Sequence, residues 1–212
     1  MKQISLRMTG YFDKGKKTKR ERFLAEMEQV LPWARLLALI EPHYPKGSPA
    51  GGRPPLPLER MIRIYCLQQW YNLSDPGAEE ALYDSITMRQ FTGVSTDADV
   101  IADETSILNF RRLLEKHQLT ERLLTEINAH LCERGLLVGK GTIVDATIID
   151  APSSTKNAKK KRDPQMHQTR KGKQWYFGMK VHTGTDTESG LVHTVVGTAA
   201  NVADINVLGE LL

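Results

Sequence analysis

Apolar positions recur every three to four residues from about Lys17 to Arg134, and the period then falls to two. In KKTKRERFLAEMEQVLP, residues Phe23, Leu24, Met27, Val30 and Leu31 share a helical face, and Pro32 ends or kinks the run. Trp33–Ile40 continues it. The Pro- and Gly-rich stretch His43–Pro57 reads as a loop. Leu58–Asn72 is an amphipathic pattern with apolar residues on both faces, which suits the central helix of a bundle. Ser74 and Asp75 form an N-cap signal before Pro76, so a short helix is expected over Pro76–Ser85, with another turn or two over Ser85–Phe91. A polar loop follows at Ser95–Ala102. Asp103–Thr105 opens the next helix, with Ile107, Leu108, Phe110, Leu113 and Leu114 facing inward. Leu119–Arg134 is the last helix, and Gly135 is its stop.

Beyond Gly139, Thr142–Asp150 reads as a strand and Trp175–Thr185 as a second. Asp186–Gly190 (DTESG) is a turn, Leu191–Thr198 a third strand, and a helix begins at Asp204. Helices followed by β-β-β-α predict an α+β chain: an all-α region over 17–135, then a β-rich region over 140–212. There is no internal repeat and no Gly-rich phosphate loop.

The 212 residues suffice for one large domain or two small ones. No apolar run approaches the ~20 residues a membrane helix needs, and the opening MKQISLRMTGYF has no signal-peptide core, so the expected location is the cytoplasm. Cys66 and Cys132, the only cysteines, sit inside helical patterns and read as core thiols rather than a disulfide or metal pair. The net charge of +4 is modest, but its distribution is not. Lys14–Arg22 reads KGKKTKRER. A basic insert at 156–173 carries Lys156, Lys159, Lys160, Lys161, Arg162, Arg170, Lys171 and Lys173 against a single acid, Asp163. Such runs suit phosphate backbones or a solvated loop.

The chemistry is expected in TIVDATIIDAPSSTKN, Thr142–Asn157. Asp145 interrupts a run of β-branched and apolar residues, and a carboxylate buried in a strand is costly unless it is paired or binds a cation. Alternation puts Ile143, Asp145, Thr147 and Ile149 on one face of the strand, and Asp150 on the other. A structural hydrogen-bond acceptor and a metal ligand both remain open for Asp145. Lys180 and His182, two apart, share a strand face and are candidates to reach a DNA phosphate or to lie near the metal site, or are ordinary strand residues. Trp175, Tyr176 and Phe177 read as core and hairpin packing rather than base-stacking groups. Arg111 and Arg112 are further candidates to contact DNA.

VDATIIDAPSSTKN followed by RDPQMHQTRKGKQWYFGMKVHTGTDTESGLVHTVVGTAANVADINVLGELL resembles the start of the catalytic domain of bacterial insertion-sequence DDE transposases, family five within the larger family-four-like group. LPWARLLALIEPHYPKG, GRPPLPLERMIRIYCLQQWYNLSDPGAEEALYDSITMRQFTG and DETSILNFRRLLEKHQL resemble the helical N-terminal region of the same family. The resemblance runs over nearly the whole chain from Lys17.

It implies a DNA-binding helical domain followed by a ribonuclease H-like (retroviral integrase-like) core, of which β-β-β-α is present here and the rest is not. It implies three carboxylates holding two Mg2+ or Mn2+ ions, the first being Asp145, for metal-dependent cleavage of a phosphodiester and strand transfer. The second Asp and the Glu would lie past Leu212, so Asp145 alone is expected not to hold the metals stably, and Thr142–Asp150 is expected as an unpaired edge. The implied partners are double-stranded DNA at the terminal inverted repeats and target DNA, and a homo-oligomer or a mixed assembly with full-length transposase, with no membrane and a nucleoid-associated location. Lys156, Lys159, Lys160, Lys161, Arg162, Lys171, Lys173, Lys180 and His182 are the candidate DNA contacts. The competing expectation is a non-catalytic DNA-binding fragment, an inhibitor or remnant of the transposase.

Overall fold

A computed structural model describes residues 16–47, 54–94, 99–152 and 161–212. The chain divides into two units, one up to Glu126 and one from Ile127 to Leu212.

The first unit is helical. Helix α1 (Lys19–Val30) starts at a capping box, in which the Thr18 hydroxyl accepts from the Glu21 amide and the Glu21 carboxylate accepts from the Thr18 amide. Pro32 separates it from α2 (Trp33–Ile40). Helix α3 (Leu58–Tyr71) ends at Asn72, which takes the left-handed conformation with φ 51°. Ser74 caps α4 (Asp75–Asp84), Ser85 caps the short α5 (Ile86–Phe91), and Asp103 caps α6 (Glu104–Lys116). Six buried residues on α3, Met61, Ile62, Arg63, Ile64, Leu67 and Gln68, make it the central helix, as its two-faced pattern predicts.

Buried Arg63 is held by two carboxylates. It donates to both oxygens of Glu28 and, from Nε at 3.0 Å and Nη2 at 2.8 Å, to Glu59; Nη1 also donates to the Phe91 carbonyl at 3.1 Å. Its guanidinium lies 4.3 Å from the Trp33 ring centroid and 5.2 Å from that of Phe91.

Helix α7 (Leu119–Glu133) carries the division between the units. It stops at Gly135 (φ 68°), where the Leu136 amide donates back to the Leu131 carbonyl. The two cysteines part company. Burial pushes the Cys66 thiol up to about 12, whereas Cys132 is exposed. The core assignment for Cys132 is therefore corrected: Leu131 supplies the buried position beside it.

The second unit is a four-stranded antiparallel sheet. Strands β1 (Thr142–Asp150) and β4 (Val192–Ala199) both pair with the long β3 (Gln174–Asp186) over its C-terminal part. Strand β2 (His167–Lys171), absent from the sequence reading, pairs with β3 over Gln174–Gly178. The alternating residues HQTRK carry little apolar signal, and only the two-residue turn at Gly172–Lys173, with Gly172 at φ 64°, marks the hairpin. A 3-10 turn (Asp204–Val207) and a single helical turn, α8 (Leu208–Leu211), follow β4 and pack on the sheet, burying Val207 and Leu211. Gly178 faces Asp150 on one side and His167 on the other; a Cβ there would lie 2.0 Å from the Ile149 carbonyl oxygen, so only glycine fits.

Candidate functional site

The register of β1, β3 and β4 sorts their side chains onto two faces. Asp145 pairs with Thr183, and Thr183 with Val195, on one face; Ala146 pairs with His182, and His182 with Val196, on the other. The face of His182 is the one covered by the C-terminal turns, and His182, Asp186 and Leu211 are fully buried. The face of Asp145 is open: Ile143 is 56 % exposed and Ile149 53 %. Asp145 is thus exposed, not buried as a strand-interior acid would suggest, because the described residues cover only one side of the sheet. One of its oxygens accepts from the Ala146 amide at 2.8 Å. By register no other carboxylate lies on this face among the described residues.

Lys180 and His182 share the opposite face, so the structure does not bring them to Asp145. Lys180 Nζ donates to the Val202 carbonyl at 2.7 Å and to Asp204 Oδ1 at 3.3 Å. His182 Nε2 is 2.9 Å from Thr198 Oγ1, and its Nδ1 lies 3.3 Å from Asp204 Oδ1, at ion-pair distance without hydrogen-bond alignment. Together they tie the segment after β4 to the sheet. Asp204 is the acid in the first turn of the 3-10 segment, and its partners are these two side chains. Asp150 accepts from the Phe177 amide at 3.1 Å.

Asp186, read in the sequence only as part of a turn, is a structural acid. Its carboxylate accepts from the Ser189 amide and hydroxyl and from the Gly139 amide, and these bonds hold it below the usual carboxylate range. The Asp-x-x-Ser spacing of DTES is the signal that finds it.

Of the basic candidates, Lys156, Lys159 and Lys160 lie outside the described residues. Lys161, Arg162, Lys171 and Lys173 are exposed. Arg162 lies 5.2 Å from the centroid of the buried Phe177 ring. Trp175 is 65 % exposed, so of the core and hairpin packing expected of it the core part is corrected; within the hairpin it sits opposite Arg170, whose guanidinium is 5.9 Å from its centroid. In the helical unit Arg111 is paired with Asp75 at 3.0 Å, while Arg112 is exposed.

A transposase domain family (DUF772) matches residues 12–113, and a transposase DDE domain family matches residues 137–212. The two matches fall in order over most of the chain. Together they indicate an insertion-sequence DDE transposase. The two domains support a transposase function, in the transposition of a mobile element, and imply DNA binding. No solved structure matches it. DDE transposases use a divalent metal. The described residues alone do not fit a two-metal centre: they contain no group of three acidic, histidine or cysteine side chains placed to hold an ion, and the Asp145 face offers a single carboxylate. No described helix is long and apolar enough to cross a membrane.

Proposed function

We propose that this transposase belongs to family five of the bacterial insertion sequences, that its sheet is the opening β-β-β-α of a ribonuclease H-like core, and that Asp145 is the first carboxylate of the DDE set. The observation that carries this reading is the position of Asp145: an acid in mid-strand on the edge strand β1, on the sheet face left open, with a free carboxylate oxygen and no cationic partner among the described residues. The antiparallel order, with β3 between β1 and β4, agrees with that core. The basic segment about Lys161, Arg162, Lys171 and Lys173 then serves duplex DNA carrying the terminal inverted repeats. Homo-oligomers would align two such ends in a nucleoid-associated complex.

With one carboxylate on the open face, residues 1–212 by themselves bind ends without cutting them. The test incubates the chain with a labelled inverted-repeat duplex over a salt series, with Mg2+ or Mn2+ present. Retarded duplex at low salt and no cleaved product are expected. Metal-dependent cleavage that disappears in Asp145→Ala would overturn the inactivity, and absence of any binding at low salt would remove the DNA-end role.

A further inference from the structure

Strand β3 outruns its neighbours. Strand β1 leaves it at Gly178 and β4 at Met179; the Ala151 amide still reaches the Phe177 carbonyl at 2.7 Å, so Gln174–Tyr176 are the residues paired with β2 alone. The hairpin from His167 to Gly178 therefore ends in a two-stranded arm, reaching roughly 10 Å beyond Phe177 at ~3.4 Å per residue. Two-stranded hairpins are marginal in water. This one nevertheless exposes Trp175 to 65 %, the most exposed aromatic side chain of the described sheet unit. His167, Arg170, Lys171 and Lys173 are all exposed on the arm, and it carries no carboxylate. The cross-strand contact with Arg170 occupies part of the ring, and the rest still faces solvent beside Lys171, Lys173 and His167. A duplex suits such a surface: a two-stranded ribbon fits the ~12 Å width of the major groove, where cations meet the flanking phosphates and a flat aromatic side chain meets sugar or base edge.

We infer that the 167–178 arm is a DNA-groove ribbon, with Lys171 and Lys173 on the phosphates and Trp175 as its aromatic contact. This rests on the DNA-end reading above and adds to it the mode of engagement. It also sets a spacing. Trp175 is eight residues from Thr183, the partner of Asp145, which is about 27 Å along the strand and about eight base pairs of duplex.

The test uses the full chain and a fluorescein-labelled mixed-sequence duplex two helical turns long, with affinity read by anisotropy from about 50 to 200 mM salt. Lys171→Gln with Lys173→Gln is expected to reduce the slope of log K against log salt by about 1.8, at about 0.9 per phosphate contact. Trp175→Ala is expected to weaken binding about tenfold at unchanged slope, and Trp175→Phe to restore most of it. The charge-matched control is Arg122→Gln with Lys140→Gln, which is expected to leave the slope unchanged. If the control lowers the slope as much as the arm variant, net charge alone acts and the inference falls. If the wild type binds and the arm variants match it, the inference falls while the DNA-end reading stands. If the wild type fails to bind, both fall. Should an arm variant misfold, the unaltered chain gives an independent readout: acrylamide quenching of its tryptophan emission, to which the exposed Trp175 contributes most, must fall when duplex binds, and a bound duplex that leaves the quenching unchanged overturns the assignment.

Discussion

Lys180→Met separates two roles for a lysine beside the candidate site. The ammonium group donates to the Val202 carbonyl at 2.7 Å and to Asp204 at 3.3 Å, and the side chain is only 15 % exposed. A hydrogen bond from a charged donor contributes about 1.5–3 kcal/mol. Asp204 is 52 % exposed, so water screens the ion pair and it adds no more than about 1 kcal/mol. Methionine keeps the apolar stem against the sheet but leaves the Val202 carbonyl without its donor. The expected loss is about 2–3 kcal/mol, which for a unit of this size lowers the melting temperature by about 10–20 °C. Calorimetry measures that loss, and duplex anisotropy across a salt series measures the other role in the same preparation. A lysine committed to the loop after β4 leaves the salt slope unchanged. A slope that falls by about 0.9 with an unchanged melting temperature would mean the ammonium group binds a phosphate, and the structural argument would be refuted.

Arg63→Ala removes the donor shared by Glu28, Glu59 and the Phe91 carbonyl together with its stacking on Trp33; because both carboxylates are about half exposed and can rehydrate, a loss of about 2–4 kcal/mol in urea unfolding is expected rather than the full cost of a stranded buried charge. Glu28 is held below its ordinary value of 4.5, chiefly by the hydrogen bond from Arg63. Its folded pKa is depressed, so its contribution is present above the unfolded value and is lost as pH falls through the lower folded one; Arg63→Ala should flatten stability against pH below about 4.5, and an unchanged acid limb would refute this. In native protein a thiol reagent at neutral pH should label Cys132 and spare Cys66, whose thiol is pushed up to about 12 by burial; mass spectrometry showing equal labelling would place Cys66 outside the core.

The helical unit was legible because its signals are local. Thr18, Ser74, Ser85 and Asp103 cap helices through their own hydroxyl or carboxylate, and Gly135 stops one through its own backbone freedom. The three long strands followed from alternation and from the DTESG turn. Strand β2 did not, since HQTRK has no apolar face and its pairing is decided by β3. Asp145 was visible as an acid in an apolar run, and the families matched over 12–113 and 137–212 agree with the motifs about it.

The sequence by itself determined the kinds of element, their order, and the family those motifs mark, because each rests on residues near one another in the chain. Only the tertiary structure decided which face of the sheet is covered. That depends on where the last turns of the chain land, and they bury His182 and leave Asp145 in the open. Pairing between distant strands likewise decided that Lys180 holds Asp204 and that Trp175 stands on a free arm, because burial is a property of what packs from elsewhere and not of the residue's immediate neighbours.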